Sequence, residues 1–182
     1  MNARKTASQI ALWGITSAIV CLATIFLRIP IISVNGYVNL GDAFIFLFAA
    51  LFGPLTAMIS GGIGSAIADL IGYPLFAPFT LIIKALEGLI AGFLIKILFP
   101  TKQNHVWSTL KSVIAFSIAA LEMIALYFFA SSILARTFTA GIAEILANLV
   151  QGGASIAIAV VLLHATPLQS FANKNKSIKK GP

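Results

Sequence analysis

Long apolar stretches recur along the whole chain, separated by short breaks rich in glycine, proline or basic residues. The first of them, residues 10–27, contains no charged residue. A helix needs about 20 consecutive apolar residues to cross the hydrocarbon core of a bilayer. Stretches of this length are typical of membrane-spanning helices, and they constrain the fold more than any other feature of the chain.

The overall composition supports this interpretation. Apolar residues make up 59% of the 182 residues, charged residues only 9%, and the mean hydropathy is +1.02. A soluble domain keeps roughly a quarter of its residues charged, because its surface faces water. We therefore predict an all-α integral membrane protein, a bundle of six transmembrane helices whose apolar surface faces lipid.

The breaks between the apolar stretches place the helices. Gly53-Pro54 and the segment 72–78 are turn signals. Residues 1–166 are expected to form a single transmembrane domain, and residues 167–182 a basic cytoplasmic tail. The predicted helices cover residues 6–27, 43–52, 55–71, 79–99, 107–130 and 137–163.

The basic residues predict the orientation. They concentrate at the helix ends that share a side with the N-terminus, and cytoplasmic loops carry an excess of Lys and Arg. The opposite ends hold only Arg28 and Arg136. Both termini of this multi-pass cell-membrane protein are therefore expected in the cytoplasm, and the net charge of +7 needs no nucleic-acid partner. The residues counted on the cytoplasmic side are Arg4, Lys5, Lys96, Lys102, Lys111, Lys174, Lys176, Lys179 and Lys180.

Every acidic residue lies within or at the end of an apolar stretch. An ionisable side chain at membrane depth is costly unless it faces a partner or a cavity, so it marks a functional site. A structural ion pair between two helices is the alternative. The residues are Asp42, Asp69, Glu87, Glu122 and Glu144.

Polar residues follow helical spacing on two of the predicted helices. Thr80, Lys84 and Glu87 share one face of the fourth helix, since residues three or four apart are neighbours. The sixth helix carries a longer stripe, and the two converge with Glu122 in the outer half of the membrane. We predict an outward-open binding pocket there, beneath an aromatic, proline-rich mouth. Its predicted residues are Tyr37, Asn39, Asp69, Tyr73, Lys84, Glu87, Glu122, Tyr127, Glu144, Asn148 and Gln151.

The motifs of common catalytic sites are missing from the sequence. It has no P-loop, no Gly-x-Ser-x-Gly elbow and no His-Glu-x-x-His zinc motif. Cys21 is the single cysteine, and His105 and His164 lie near the predicted cytoplasmic ends, away from the acidic residues. We therefore expect no enzymatic activity, no cofactor and no metal.

Small residues line two helices. On the third predicted helix they favour close packing between helix backbones. On the first, Ala7 and Ala11 begin a stripe that Gly14 and Ala18 continue. This stripe suits either packing inside the bundle or contact with a separate protein, and the sequence leaves both open.

The size, the six apolar segments and several motifs resemble the substrate-binding S components of energy-coupling factor (ECF) vitamin transporters. The chain is most similar to the hydroxymethylpyrimidine and pyridoxine type, with riboflavin proteins a more distant comparison. The motifs are Ala7-x-x-x-Ala11, Gly36-Tyr-Val-Asn-Leu-Gly-Asp42, Phe52-Gly-Pro54, Gly61-Gly-Ile-Gly-Ser-Ala-Ile-Ala-Asp69 and Lys84-Ala-Leu-Glu-Gly88.

The resemblance implies a function and partners. S components capture a water-soluble vitamin from outside and dock on a transmembrane coupling subunit driven by two cytoplasmic ATPases. It implies that Ala7 and Ala11 dock on that subunit, and that Tyr37 and Asn39 belong to a loop that caps the pocket. A riboflavin-specific S component is the alternative within the family.

Two other classes remain open from the residues alone. One is a proton-coupled secondary transporter that uses Glu87, Glu122 and Glu144, although such transporters usually contain repeats related by symmetry, and none is evident here. The other is a small intramembrane enzyme. The excess of acids over Lys84 predicts an uncharged or weakly basic pyridine- or pyrimidine-type vitamin without a phosphate group.

Overall fold

The computed structural model describes residues 3–31, 36–98 and 105–165. This part of the chain forms six helices and one short β-hairpin. Four of its helices are long and apolar enough to cross a membrane, which confirms the predicted all-α membrane fold. The elements are α1 Ala3–Phe26, β1 Ile29–Ile31, β2 Gly36–Val38, α2 Gly41–Phe52, α3 Pro54–Gly72, α4 Ala77–Leu98, α5 His105–Ala135 and α6 Phe138–Ala165. The four candidate spans are Thr6–Phe26, Pro54–Gly72, Thr109–Ala135 and Phe138–Leu163.

The reversal between α2 and α3 is short because of two residues. Gly53 has φ 90°, a left-handed conformation that glycine adopts without steric cost. Pro54 follows as the first residue of α3, a position where its missing N–H is not needed by the helix. The predicted turn at this dipeptide is confirmed.

The prediction missed the hairpin between α1 and α2. Strands β1 and β2 pair antiparallel, with Ile29 opposite Val38 and Pro30 opposite Tyr37. The predicted helices 6–27 and 43–52 leave residues 28–42 without any assigned strand. Two strands of three residues each are too short to show the alternation that identifies a strand in a sequence.

Helices α2 and α5 extend beyond their predicted bounds. Helix α5 continues to Ala135, five residues beyond the expected end, and Arg136 then adopts φ 55°. Ser132 does not interrupt it, because its hydroxyl donates to the carbonyl of Phe128 at 2.7 Å within the same helix. Helix α2 begins at Gly41, two residues before the expected start, because the side chain of Asn39 accepts the N–H of Gly41 at 2.8 Å.

The hairpin follows α1, and Tyr73 at the end of α3 lies beside Arg28, so α1 and α3 end on the same side of the bundle. This end of the bundle is called the hairpin end below. The apolar core lies in the opposite half, where Phe46 of α2 stacks on Phe116 of α5 with ring centroids 4.8 Å apart. Alanines of five helices surround the two rings and let the helices approach closely. They are Ala49, Ala57, Ala91, Ala115, Ala119, Ala120 and Ala159.

Helices α3 and α4 pack backbone to backbone through glycines, as the small-residue pattern predicted. A Cβ added to Gly88 would collide with the backbone of Ala57, and one added to Gly61 would collide with the carbonyl of Lys84. This approach holds Lys84 and Glu87 of α4 at a fixed distance from α3.

We expect Gly88→Ala to lower the stability of the protein by about 1–3 kcal/mol, because the added methyl overpacks the α3–α4 contact. Gly153→Ala on α6 is the matched control, since nothing lies within 4 Å of a Cβ there. Thermal unfolding of both variants in detergent measures the difference. Equal melting temperatures for the two variants would contradict the close approach of α3 and α4.

Candidate functional site

A buried group of ions joins α2 to α4 near the hairpin end. Lys84 Nζ lies 2.5 Å from Asp42 Oδ1 and 3.0 Å from Glu87 Oε2. Lys84 is 2% exposed, and both acids are 0% exposed. The group therefore includes one acid, Asp42, that was not assigned to the predicted pocket.

Two amide side chains extend this group to α6 and to the hairpin. Gln151 Nε2 donates to Asp42 Oδ2 at 2.7 Å. Gln151 Oε1 accepts both from the backbone N–H of Asn39 at 2.9 Å and from its Nδ2 at 3.1 Å. Asn39 follows β2 directly, so the hairpin is tied to the ions through Gln151. These five residues, Asn39, Asp42, Lys84, Glu87 and Gln151, form the central cluster.

The short length of α2 explains why the central cluster lies inside the bundle. Its 12 residues span about 18 Å, well short of the roughly 30 Å of a bilayer core. The chain therefore enters the membrane region before it becomes helical. Non-helical backbone at this depth is tolerated only where protein buries it or where it lines a cavity. Asp42 in the first turn is also favoured by the positive end of the helix dipole.

A second chain of hydrogen bonds joins α3, α4 and α5 beside the central cluster. Thr80 Oγ1 donates to Asp69 Oδ2 at 2.5 Å and lies 3.0 Å from the hydroxyl of Tyr127. The ring centre of Tyr127 lies 5.5 Å from Lys84 Nζ. The structure therefore brings Asp69, Lys84 and Tyr127 together as predicted, through a threonine that was noted only as part of the α4 face.

Most of the bonding capacity of the central cluster is used within the protein. A lysine ammonium has three donors, and Lys84 donates to both Asp42 and Glu87. Taking such charges out of water costs several kcal/mol per ion, which only close pairing and further hydrogen bonds offset. Lys84 therefore neutralises Asp42 and Glu87, and the ligand contact predicted for it stays a prediction.

Three carboxyl oxygens beside the central cluster remain without a hydrogen-bond partner in the described part of the chain. They are Oε1 of Glu87 and both side-chain oxygens of Glu122, and all three are buried. Glu122 lies on α5, near enough to Lys84 and Glu87 to interact electrostatically with both. Burying a polar atom without a hydrogen-bond partner is costly, so these oxygens are the part of the region with unused acceptor capacity.

The remaining predicted residues lie farther along the helices. Asn148 Nδ2 donates to Glu144 Oε2 at 3.2 Å, a local pair one turn apart on α6. Tyr73 ends α3, and its ring centre lies 5.4 Å from the guanidinium carbon of Arg28. Tyr73 is thus joined to the end of α1. The side chain of Tyr37 lies outside the described residues.

Two observations on the described residues concern metal binding and the position of the single cysteine. Within residues 3–31, 36–98 and 105–165, no three side chains among His, Cys, Asp and Glu are grouped so as to hold a metal ion. Cys21 lines an apolar groove between α1 and α3, away from the acids. Carboxylates, amides and a tyrosine hydroxyl around a buried lysine are suited to holding a polar molecule by hydrogen bonds.

The small-residue stripe on α1 faces outward. Ala7, Ala11, Gly14 and Ala18 are all exposed. Gly14 and Ala18 also line the groove of about 600 Å³ between α1 and α3. Of the two alternatives that the sequence left open, packing of this stripe inside the bundle is therefore wrong.

Comparison with known proteins identifies the family. The chain matches the family described as "ECF-type riboflavin transporter, S component" over residues 4–167. It belongs to this family. The predicted resemblance to ECF S components is confirmed, and an S component is a binding subunit, not an enzyme. The family match names riboflavin, the vitamin of the more distant comparison, where the motifs suggested a hydroxymethylpyrimidine or pyridoxine type.

A curated relative gives a shorter match. The chain is 53% identical over 77 residues to a protein of Pyrococcus woesei described as "Uncharacterized protein in gap 3'region". The aligned part is 42% of this chain and 52% of the relative. The match therefore spans about half the length of that protein, and its name assigns no activity.

Proposed function

We propose that this S component captures riboflavin on the outer side of the cell membrane for an ECF-type importer. The observation that carries the proposal is the match to riboflavin S components over residues 4–167. It favours riboflavin over the hydroxymethylpyrimidine or pyridoxine ligand that the sequence motifs suggested. The buried polar residues near the hairpin end support the proposal, because they include unpartnered acceptors on α4 and α5.

The binding residues are proposed from the same region. The central cluster joins α2, α4 and α6 to the hairpin, and Tyr127 adds a ring beside Lys84. Aromatic rings of this kind stack on a flat heteroaromatic ligand. Glu122, Glu144, Asn148, Asp69, Tyr73 and Tyr37 complete the proposed site. Mass spectrometry and the visible absorption spectrum of protein purified without added vitamin test the proposal, and a co-purified flavin is the expected result.

The proposed partners are a transmembrane coupling subunit and two cytoplasmic ATPases. The sequence contains no P-loop, so the energy for transport must come from another chain. The exposed stripe that begins with Ala7 and Ala11 is the proposed docking surface, because small residues let a second helix approach closely. Copurification of ATPases and a larger membrane subunit with the tagged protein is the expected result.

We also propose that both termini, including the basic tail 167–182, are cytoplasmic and that the hairpin end faces outward. Cysteines introduced into a Cys21→Ala background test this orientation. Leu75 is 75% exposed between α3 and α4, so Leu75→Cys should react with an impermeant thiol reagent added outside intact cells. Lys96→Cys near the opposite end of α4 should not. Asn39 is a poor reporter, because it is buried against Gln151.

Flavin mononucleotide should bind more weakly than riboflavin. Its phosphate adds negative charge to a region where Asp42, Glu87 and Glu122 already surround one lysine. At about 8 Å and an effective dielectric constant of about 20, each pair of like charges costs about 2 kcal/mol. Titration of the purified protein with both flavins should show a difference of at least about tenfold in Kd. Tighter binding of the phosphate ester would contradict the electrostatic argument.

A further inference from the structure

Glu87 on α4 and Glu122 on α5 together carry three buried carboxyl oxygens without a hydrogen-bond partner among the described residues. Glu87 is fully buried, and its Oε2 is held by Lys84 at 3.0 Å, which leaves Oε1 on the other side of the carboxyl. Both oxygens of Glu122 are buried on the neighbouring helix α5. Among the described residues, no donor reaches any of the three.

The chemistry of these oxygens limits what they bind. An ionised carboxylate only accepts hydrogen bonds. A single proton on the pair of carboxyls would still leave two of the three oxygens as acceptors. The group opposite Glu87 and Glu122 must therefore be rich in donors, and a group rich in acceptors would be repelled.

Riboflavin has two polar parts, and they differ in how many hydrogen-bond donors and acceptors they carry. The polar edge of its tricyclic ring consists of carbonyl oxygens and ring nitrogens with a single N–H, so it is mostly an acceptor. Its ribityl chain carries a row of hydroxyl groups, each of which donates. We propose that Glu87 and Glu122 bind the hydroxyl groups of the ribityl chain and do not bind the ring edge. This assignment rests on the proposed function and specifies which part of the ligand each carboxyl meets.

Comparison of two ligands with two proteins tests the assignment. Lumiflavin has a methyl group in place of the ribityl chain and keeps the ring edge. Because a hydrogen bond to a charged group is stronger than a neutral one, Glu122→Gln should weaken riboflavin binding about 5- to 15-fold. The same variant should leave the Kd of lumiflavin within about twofold of the wild type, since no ribityl contact exists to lose.

The melting temperature of the ligand-free protein separates an effect of the substitution on binding from an effect on folding. Glu122 has no partner in the described part of the chain, so Glu122→Gln should leave the melting temperature of the ligand-free protein unchanged or raise it. Leu121→Ala is the matched control, because Leu121 directly precedes Glu122 on α5 and is 60% exposed. It should leave the affinities for riboflavin and lumiflavin unchanged. A structural role for Glu122 would instead lower the melting temperature and weaken both flavins together.

Each outcome has a separate meaning. Equal weakening of riboflavin and lumiflavin by Glu122→Gln would assign Glu122 to the ring and overturn the inference, while leaving riboflavin as the substrate. Unchanged riboflavin binding in that variant would also overturn the inference alone. If the wild-type protein binds neither flavin, the proposed function fails and the inference fails with it.

Discussion

Lys84→Met should destabilise the protein more than any other single change at the site. The substitution keeps most of the side-chain volume but removes the cation between Asp42 and Glu87, both of which are fully buried. Removing one partner of a buried ion pair typically costs about 3–5 kcal/mol. For a chain of this length that corresponds to a fall of about 6–20 °C in the melting temperature.

Two comparisons make this expectation specific. Lys96→Met on the exposed face of α4 is the matched control and should melt close to the wild type. Replacing the acids as well, in Lys84→Met with Asp42→Asn and Glu87→Gln, should recover most of the lost stability, because neutral amides no longer need a cation. A Lys84→Met variant that melts within about 2 °C of the wild type would show that Lys84 is not held between the two acids.

Bulky residues at Ala7 and Ala11 should abolish uptake of the vitamin by the assembled transporter. Both side chains are exposed on α1, so Ala7→Trp with Ala11→Trp fills no space inside the protein. It prevents the close approach of a second helix, which depends on small side chains. Binding of riboflavin to the isolated protein should stay within about twofold of the wild type, because the central cluster is formed by other elements.

Uptake of labelled riboflavin into cells and titration of the purified protein measure the two effects separately. Gln9→Trp is the matched control, because Gln9 is also exposed but points away from Ala7 and Ala11 on α1. It should retain uptake. If the double variant lost riboflavin binding together with uptake, the docking assignment would be wrong.

The features that the sequence predicted correctly show as patterns within a single segment of the chain. Apolar stretches of membrane-spanning length placed the helices, and steps of three and four residues placed Thr80, Lys84 and Glu87 on one buried face. The glycines of α3 indicated close packing, which the α3–α4 contact confirms. Each of these signals lies within about 20 residues of sequence.

The features that the prediction missed depend on where separate segments meet. Asp42 bonds to Lys84, 42 residues later, and to Gln151, 109 residues later. Only the depth at which α2 begins brings them together, and no local pattern reports that depth. The available signal was an acid, Asp42, at the start of an apolar stretch. It indicated a charged group that is costly to bury, but it did not identify the partner. The pairing of Arg28 with the ring of Tyr73 has the same origin.

The division of roles between carboxyls also comes from the three-dimensional arrangement. Asp42 and Glu87 share one lysine, whereas the oxygens of Glu122 remain unpartnered in the described residues. In the sequence all three are simply acids in apolar stretches. The structure therefore pairs Lys84 with Asp42 and Glu87, and it leaves the oxygens of Glu122 and the free oxygen of Glu87 as the acceptors that we propose for the ligand.

Titration of the purified, ligand-free protein with riboflavin tests the central claim most directly. Flavin fluorescence reports binding, and pyridoxine and hydroxymethylpyrimidine serve as competitors in the same experiment. The account predicts saturable riboflavin binding with a Kd below about 1 µM, which an excess of either competitor does not reverse. Saturable binding of pyridoxine or hydroxymethylpyrimidine, with no binding of riboflavin, would contradict it.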